Sequence, residues 1–224
     1  MRLATNYNAW LLDRARPHLG RRVLDAGAGT GTFTELAADG RQLVVAMEPD
    51  PLFARELERR FAGRDNVEVV QLDVADLSSE SVPAPFDSVV CFNVLEHIRD
   101  HVAALARLHE VLAPGGRLVL LVPAHPLLFG SIDRTVGHER RYERGQVRGL
   151  LEASGFQVEE VRYVNPLGAL GWLVSSRVLR RTLIPEGPLR LYDRLVPLLR
   201  GLEMLRLPWG LSVWAVARRP SELA

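Results

Sequence analysis

The chain contains 224 residues, a length that suits one α/β domain with an elaboration. Its hydrophobic content of 47%, charged content of 25% and formal net charge of +1 are ordinary for a globular protein and give no global field that would favour nucleic acid. The lone cysteine, Cys91, excludes an intrachain disulfide and a cysteine-rich zinc site, and we predict no metal site. Because no signal sequence and no uncharged apolar run of about 18 residues is visible, we expect a cytoplasmic protein.

In the first half of the chain, short apolar runs alternate with helical patterns. Apolar residues at helical spacing predict a first helix over residues 3–19, ending at Pro17 and Gly20. The predicted strands are residues 22–26, 43–47, 67–72 and 88–92, and the predicted helices are 32–38, 51–61 with Asp50 as N-cap, and 99–112, stopped by Pro114-Gly115-Gly116. Continuous apolar strands between helices predict a parallel sheet covered on both faces.

The second half adds a strand over 117–123, a helix over 145–154 and strands over 156–163 and 211–217. About forty residues separate the last two strands, far more than a hairpin needs, so residues 166–208 are predicted as an insertion of two amphipathic helices, 167–183 and 189–205. The predicted organisation is a core over 1–165, this insertion, and the last strand with a tail over 209–224. The predicted fold is a doubly wound, mostly parallel, seven-stranded Rossmann-like sheet with a helical insertion before the last strand.

The most informative motif is the glycine-rich turn of residues 27–31, which directly follows the first predicted strand. Glu48 closes the second strand about twenty residues later, the spacing at which doubly wound folds hold the ribose of a nucleoside cofactor. Glycines allow the backbone to approach a ligand closely, since a Cβ there would collide with it. The carboxylate of Glu48 has two oxygens that can accept both ribose hydroxyl protons.

The spacing of this turn distinguishes among cofactors. A dinucleotide fingerprint reads G-x-G-x-x-G, whereas the glycines here alternate and Thr32 occupies the place of the third glycine. Asp25 before the turn would repel a pyrophosphate but suits a cofactor with a positive amino group. The chain lacks a P-loop motif, and all 28 basic residues are arginine, which excludes a lysine Schiff base.

Five motifs occur in one order along the chain: residues 25–31, 44–50, 71–74, 86–97 and 112–118. Together they resemble the class I S-adenosylmethionine (SAM) methyltransferases, over about residues 7–156. The resemblance implies SAM as cofactor, S-adenosylhomocysteine as product, and a binding site formed by Asp25, Gly27, Gly29, Gly31, Glu48, Pro49, Asp73, Val74, Asn93 and Tyr7. Tyr7 is included because N-terminal helices close over the cofactor in many relatives, although its helical spacing favours packing in the core.

Three histidines follow predicted strands at the edge where α/β folds bind ligands: His97, His125 and His138. Histidine titrates near neutral pH, and His138, among charged residues of a long loop, is the predicted general base. His97 is expected to hold the loop or helix start and to border the substrate, while His125 before Pro126 is consistent with a plain loop residue.

The same loop supplies the predicted substrate contacts Arg140, Arg141 and Tyr142, because arginine forks suit carboxylate or phosphate. The alternative is a solvated loop in which the arginines pair with Asp133, Glu139 and Glu143. The string Gly-His-x-Arg-Arg-Tyr resembles bacterial methyltransferases of unassigned substrate, some associated with surface-glycan and lipid-linked pathways.

The predicted function is methyl transfer from SAM to an oxygen or nitrogen of a small-molecule acceptor that is anionic, lipid-linked or glycan-related. The Leu-rich and Arg-rich insertion is expected to roof the substrate pocket and to contact a lipid-like substrate or membrane surface, the alternatives being packing on the sheet or a homodimer interface. The competing hypotheses are a nicotinamide-dependent oxidoreductase, a SAM-fold binding protein without turnover, and a tRNA or rRNA methyltransferase. We expect no nucleic-acid partner, because the chain lacks a basic extension.

Overall fold

A computed structural model describes residues 4–183, 186–199 and 207–221. The described chain forms one seven-stranded sheet with helices packed on it. The strands are β1 (Arg22–Ala26), β2 (Leu43–Met47), β3 (Val67–Val70), β4 (Phe86–Phe92), β5 (Leu112–Pro123), β6 (Gln157–Val164) and β7 (Ser212–Arg218). The helices are α1 (Thr5–Ala15), α2 (Thr32–Ala38), α3 (Pro51–Phe61), α4 (His101–Glu110), α5 (Ser131–Thr135), α6 (Arg144–Ala153), α7 (Pro166–Trp172) and α8 (Glu186–Leu199).

The strand order is β3-β2-β1-β4-β5-β7-β6, and only β7 runs antiparallel to its neighbours. Successive side chains of a strand point to opposite faces, which divides the core into two layers. Leu24 and Val89 join α4 and α6 in one layer, whereas Val23 and Val90 join α1, α2 and α8 in the other. Helices therefore cover both faces, and the predicted fold class is confirmed.

The register of the central strands brings three loops together. In the parallel pairing Ala26 lies opposite Met47 on one side and Cys91 on the other, so the ends of β1, β2 and β4 are level. The turns that follow these strands therefore share one edge of the sheet, where ligands bind in open α/β folds.

Two predicted boundaries in the middle of the chain are wrong. The helix predicted over 99–112 ends at Glu110, and β5 begins at Leu112 instead of Arg117. Leu112 pairs with Phe86, while Arg117 pairs with Ser88, so residues 113–116 form a bulge inside the strand. The Pro-Gly-Gly sequence therefore bends a strand and does not simply follow a helix.

The ends of the first helix and of the third strand also differ from the predictions. Helix α1 stops at Ala15, and Pro17 lies in a separate 3-10 turn, Arg16–His18. Strand β3 stops at Val70, two residues before the predicted end. Leu3, the first residue of the predicted first helix, lies outside the described residues.

Within the described residues, the segment between β6 and β7 contains two helices, whose bounds differ from the predicted 167–183 and 189–205. Helix α7 continues through a π-helical turn, Leu173–Val178, and α8 follows. Residues 184–185 and 200–206 of the predicted insertion lie outside the described residues. The buried carboxylate of Asp193 in α8 accepts the backbone N–H groups of Asn6 (3.2 Å) and Tyr7 (2.9 Å), which joins α8 to the start of α1. Among the described residues, no helix combines the length and apolar character needed to cross a membrane. The three-part domain division stays a prediction.

Candidate active site

The glycine-rich turn after β1 has a backbone that only glycine adopts easily. Gly27 and Gly29 have φ angles of +76° and +55°, in the left-handed region. A Cβ at Gly27 would lie 2.3 Å from Cγ2 of Val94, whereas a Cβ at Gly29 would meet nothing within 4 Å. Gly27 thus packs tightly on the loop after β4, and Gly29 leaves an open space for a ligand.

Glu48 is fixed beside this turn by backbone hydrogen bonds. Its Oε2 accepts the N–H of Gly29 at 2.7 Å and its Oε1 accepts the N–H of Asp50 at 3.1 Å. The side chain is buried at the end of β2, directly across from the end of β1. Each carboxylate oxygen keeps a lone pair for a further donor, so the orientation fits the predicted ribose contact.

Asp25 lies at the base of the same turn and is buried. Its Oδ2 accepts a hydrogen bond from Thr34 Oγ1 at 2.6 Å. Burial nevertheless raises the pKa of Asp25 to about 6, since desolvation opposes the charged form. A cationic group bound nearby would favour the ionised form of Asp25, and SAM carries such a positive charge.

The other predicted cofactor residues surround this edge. Asp73 accepts the N–H of Ala75 at 2.8 Å and caps the 3-10 turn that begins with buried Val74. Asn93 directly follows β4 with a φ of +54°, in the left-handed region that Asn tolerates better than most residues. Their contacts with a cofactor stay predictions.

Two further predicted cofactor residues lie on either side of this set. Pro49 is exposed directly after Glu48. Tyr7 packs in α1, its ring centroid 5.5 Å from that of Trp10 and 6.2 Å from that of Tyr192. The structure therefore shows packing for Tyr7, and its contact with a cofactor stays a prediction.

A buried ionic cluster occupies the loop after β5. Asp133 is fully buried, and its Oδ1 accepts hydrogen bonds from Nε of Arg141 (2.7 Å) and from Nδ1 of His138 (2.8 Å), while Oδ2 accepts the N–H of Gly130. Arg141 also donates to the carbonyl of Ala124 and stacks over the ring of Trp172 at 4.5 Å. The loop is thereby tied to both β5 and the insertion.

His138 is oriented by this cluster. A carboxylate on Nδ1 requires the proton on that nitrogen, so the lone pair of the imidazole is on Nε2. Nε2 lies 3.8 Å from Oε1 of Glu96. An imidazole held in this way can accept a proton through Nε2, and the general-base role of His138 stays a prediction.

Glu96 and His97 close the 3-10 turn after β4. Glu96 is completely buried, and burial raises the pKa of its carboxyl to about 8. His97 is exposed; its Nδ1 lies 3.1 Å from the carbonyl of Gly137, and its ring contacts that of His138 edge-to-face at 4.9 Å. Two loops distant in sequence therefore meet at these side chains.

The structure does not place Arg141 and Tyr142 where a substrate contact requires them. Arg141 is buried and paired with Asp133, so it is not free to bind an anion. Tyr142 is fully buried, and its hydroxyl donates to the carbonyl of Leu95 and lies 3.0 Å from Nδ1 of His101. Both side chains hold the loop in place. The alternative prediction, a solvated loop with exposed arginines, is also wrong for Arg141, which is buried.

Arg140 and His125 also have structural partners. Nη1 of Arg140 donates to the carbonyls of Ile98 and Arg99, which ties the loop to the segment before α4. His125 stacks on Tyr163 at 4.5 Å, and its Nδ1 lies 3.5 Å from a carboxylate oxygen of Glu143. Arg140 is partly exposed, and its contact with a substrate stays a prediction.

Two residues of this site were not singled out from the sequence. The sequence indicates Asp133 only as an ion-pair partner on a solvated loop, and Glu96 only as part of a motif. A charged residue in an otherwise apolar stretch, as Glu96 is between Leu95 and Ile98, was the available indication in the sequence. Their burial depends on contacts between two distant loops, which periodicity does not reveal.

The sheet, the glycine turn and the paired acid define a Rossmann-like nucleoside-cofactor fold of the methyltransferase type. The observations that fit SAM are the open space at Gly29, the fixed carboxylate of Glu48 and the buried Asp25. Residues 24–118 match a family model described as a methyltransferase domain. Over these residues the chain is similar to methyltransferase domains, and SAM is the cofactor that the site residues fit.

Two curated relatives that match part of the chain are named for different reactions. A tRNA U34 carboxymethyltransferase of Pseudoalteromonas translucida (strain TAC 125) is 36% identical over 118 residues, covering 50% of this chain and 36% of that protein. A ubiquinone biosynthesis O-methyltransferase of Pseudomonas syringae pv. tomato is 33% identical over 111 residues, covering 49% and 47%. The chain thus spans less than half the length of either of these two curated relatives.

A solved structure matches across almost the whole chain. It is the Burkholderia thailandensis 1,6-didemethyltoxoflavin-N1-methyltransferase with bound 1,6-didemethyltoxoflavin and S-adenosylhomocysteine. The TM-score is 0.59 at 20% identity, covering 97% of this chain and 79% of that chain. This likeness shows the fold, and the acceptor of the present chain has to be argued from its own residues.

Proposed function

We propose that this chain transfers the methyl group of SAM to an oxygen or nitrogen atom of a small-molecule acceptor. When bound, SAM supplies an electrophilic methyl group on a positively charged sulfur. The observation that carries the proposal is the packing of Val94 on Gly27, which joins the cofactor turn to the loop that bears Glu96 and His97. Cofactor and acceptor groups would therefore meet at one edge of the sheet.

Methyl transfer asks the protein mainly to position two reactants. Glu48 and Asp25 would hold the ribose and the charged part of SAM, while the loop after β5 would form the wall on the acceptor side. That loop is held by the buried Asp133–Arg141 pair and by Tyr142. Such rigidity suits a site in which a displacement of about 1 Å lowers the rate strongly.

An anionic and partly apolar acceptor is supported by the surroundings of this loop. A cavity of about 560 Å³ next to α5 is lined by Arg134, Arg177 and Arg180 together with Gly130, Ser131 and Ser176. Guanidinium groups suit a phosphate or carboxylate. The insertion also exposes large apolar side chains, among them Leu170, Val174, Val178 and Leu179. We propose that the insertion covers the acceptor and favours a lipid-linked or similarly apolar compound.

The tRNA-modifying relatives make nucleic acid the principal competing acceptor. The chain has a net charge of only +1, which provides little of the phosphate attraction on which nucleic-acid binding depends. The described arginines of the loop are in part buried or paired, as Arg141 shows. These observations favour the small molecule.

The test is methyl transfer from isotopically labelled SAM into a cell extract that is then separated into small molecules, lipids, nucleic acid and protein. We expect label in the small-molecule or lipid fraction with wild-type protein and with Glu58→Ala, an exposed substitution on α3. At a SAM concentration that does not saturate the variant, Glu48→Ala should incorporate much less label. Label in the nucleic-acid fraction would overturn the acceptor class. Absence of label in every fraction, with S-adenosylhomocysteine still bound, would favour the binding protein without turnover.

A further inference from the structure

Three side chains from two loops converge at the acceptor side of the site. Glu96 and His97 come from the turn after β4, and His138 comes from the segment between α5 and α6. One oxygen or nitrogen atom of each lies within 4.8 Å of the corresponding atoms of the other two. Two imidazoles and a carboxylate form a donor set that proteins use for divalent transition metals.

The carboxylate of Glu96 is the first independent indication of a ligand. Its side chain is 0% exposed, and neither oxygen has a hydrogen-bond partner from another residue within the described part of the chain. Burying a polar group without a partner is costly, and buried polar atoms in native proteins almost always have one. Since Oε1 faces Nε2 of His138 at 3.8 Å, a cation bound between these two atoms would provide that partner.

Both histidines have an acceptor beside Nδ1, which leaves Nε2 available to bind a metal ion. His138 contacts Oδ1 of Asp133 through Nδ1 at 2.8 Å, and His97 contacts the carbonyl of Gly137 through Nδ1 at 3.1 Å. Each acceptor requires a proton on Nδ1, which leaves the lone pair on Nε2. Metal-binding histidines typically give their other N–H to a carboxylate or a backbone carbonyl in this manner.

The charges of the cluster also fit a cation. The carboxylate of Asp133 is balanced by the guanidinium of Arg141 at 2.7 Å, with both side chains buried. No described arginine makes an ion pair with Glu96 within 4.0 Å, so a cation bound at this position would supply the positive charge that favours the ionised carboxylate. His97 is exposed and opens the cluster to solvent, which gives an ion a route to the site.

We propose that Glu96, His97 and His138 bind a divalent first-row transition-metal ion such as Zn²⁺ through one carboxylate oxygen and two Nε2 atoms. Ligand atoms that each lie about 2.0–2.2 Å from one ion are at most about 4.4 Å apart, so small rotations of these side chains close the site. Three protein ligands leave positions open for an oxygen of another molecule. His138 is then a metal ligand and not the general base predicted from the sequence.

The ion gives the site a preference for acceptors with a hydroxyl or carboxylate oxygen beside the methylated atom. This preference rests on the proposed function, whereas metal binding itself does not. The ligand types also select among metal ions, because imidazole suits zinc, iron or nickel while Mg²⁺ prefers carboxylate oxygen and water.

The experiment is calorimetric titration of Zn²⁺ into the chelator-treated full chain, without SAM or acceptor. We expect one ion per chain and binding at least about tenfold weaker for Mg²⁺. Glu96→Gln, which keeps the size of the side chain, and His138→Gln should each weaken Zn²⁺ binding by at least about tenfold, because loss of even an outer partner costs about 10–100-fold. His18→Asn, in the turn before β1 at the opposite edge of the sheet, is the matched control and should bind like wild type.

A measurement on wild-type protein keeps the proposal testable if the variants fail to fold. In ¹⁵N-labelled wild type, Zn²⁺ should shift the ring Nε2 resonances of two histidines. One of these resonances should be absent from the His97→Gln spectrum and the other from the His138→Gln spectrum. Failure of wild type to bind Zn²⁺, or equal binding by wild type, Glu96→Gln and His138→Gln, would overturn the proposal. If S-adenosylhomocysteine still binds in that case, the methyltransferase proposal stands and only the metal site falls.

Discussion

The turn after β1 and the loop after β5 project from the same edge of the sheet but hold their carboxylates by different means. Glu48 accepts backbone N–H groups of Gly29 and Asp50, both from residues close to it in the fold of a βαβ unit. Asp133 instead depends on the side chains of Arg141 and His138. The cofactor side is thus built from backbone conformation, and the acceptor side from a network of buried charges.

The largest effect is expected on the acceptor side. Arg141→Ala should lower the free energy of unfolding by about 3–5 kcal/mol, because it leaves the fully buried Asp133 without its charged partner. Denaturant unfolding followed by circular dichroism measures this loss. The control is Arg64→Ala, which removes the exposed pair with Asp39 and should cost at most about 1 kcal/mol. Similar losses in the two variants would mean that the buried network does not hold the loop.

Asp25 on the cofactor side should give stability a pH dependence. Burial raises its pKa to about 6, from the usual 3.8 of an exposed aspartate, so at a pH between these values the native state keeps a proton that the unfolded chain has lost. Stability is therefore full below about pH 4 and falls as the pH rises towards 6, by about 3 kcal/mol. Unfolding free energies of wild type and Asp25→Asn, compared from pH 4 to 7, should show this difference. A difference independent of pH would contradict the burial argument.

The opposite shift is found at Asp133. Burial acts to raise its pKa, but the hydrogen bond from His138 and the charge of Arg141 outweigh burial, and the net shift is downward. The pKa values of two buried carboxylates at one edge of the sheet are therefore shifted in opposite directions. The reason is that Asp25 is partnered by a neutral hydroxyl and Asp133 by a cation.

Two glycines of the cofactor turn separate packing from ligand approach. Gly27→Ala should cost about 2–3 kcal/mol, since its left-handed backbone and the contact with Val94 both oppose a Cβ. Gly29→Ala should cost only about 1–2 kcal/mol of backbone strain. Thermal unfolding and S-adenosylhomocysteine titration together test this. Gly29→Ala should weaken the binding of S-adenosylhomocysteine more than its loss of stability suggests. An affinity equal to that of wild type would show that the ligand binds elsewhere.

Sequence reasoning was most successful where the determinants are local. The turn after β1, the N-cap Asp50 and the acid Glu48 follow from residues within one βαβ unit, and the parallel register Ala26–Met47 then brings them together. The bulge in β5 was missed because it depends on pairing with Phe86 of another strand.

The acceptor side was harder to predict, for a physical reason. His138 is the predicted general base, a role that stays a prediction, and its neighbour Glu96 is about forty residues away in sequence. Arg141 and Tyr142 are predicted as substrate contacts because composition alone does not show that this charged loop is buried against Trp172 and Leu95. Contacts between loops require the packed structure.

The smallest effect concerns local structure beside the cofactor turn. Asp50 accepts the N–H of Leu52 at 2.7 Å and of Phe53 at 3.3 Å, so Asp50→Ala should cost about 1 kcal/mol of stability. Asp50→Asn preserves the cap and should be nearly neutral. Thermal unfolding measures both, and equal losses in the two variants would show that charge, not capping, matters at this position.

The most direct test of the cofactor site is calorimetric titration of S-adenosylhomocysteine into wild type, Glu48→Ala and the exposed-site control Glu58→Ala. We expect one ligand per chain in wild type and Glu58→Ala. In Glu48→Ala we expect binding weakened by about 10–100-fold, because a hydrogen bond to a charged group contributes about 1.5–3 kcal/mol. Equal affinity in all three proteins, or binding of NADH by wild type in place of S-adenosylhomocysteine, would contradict the assignment of this edge as a SAM site.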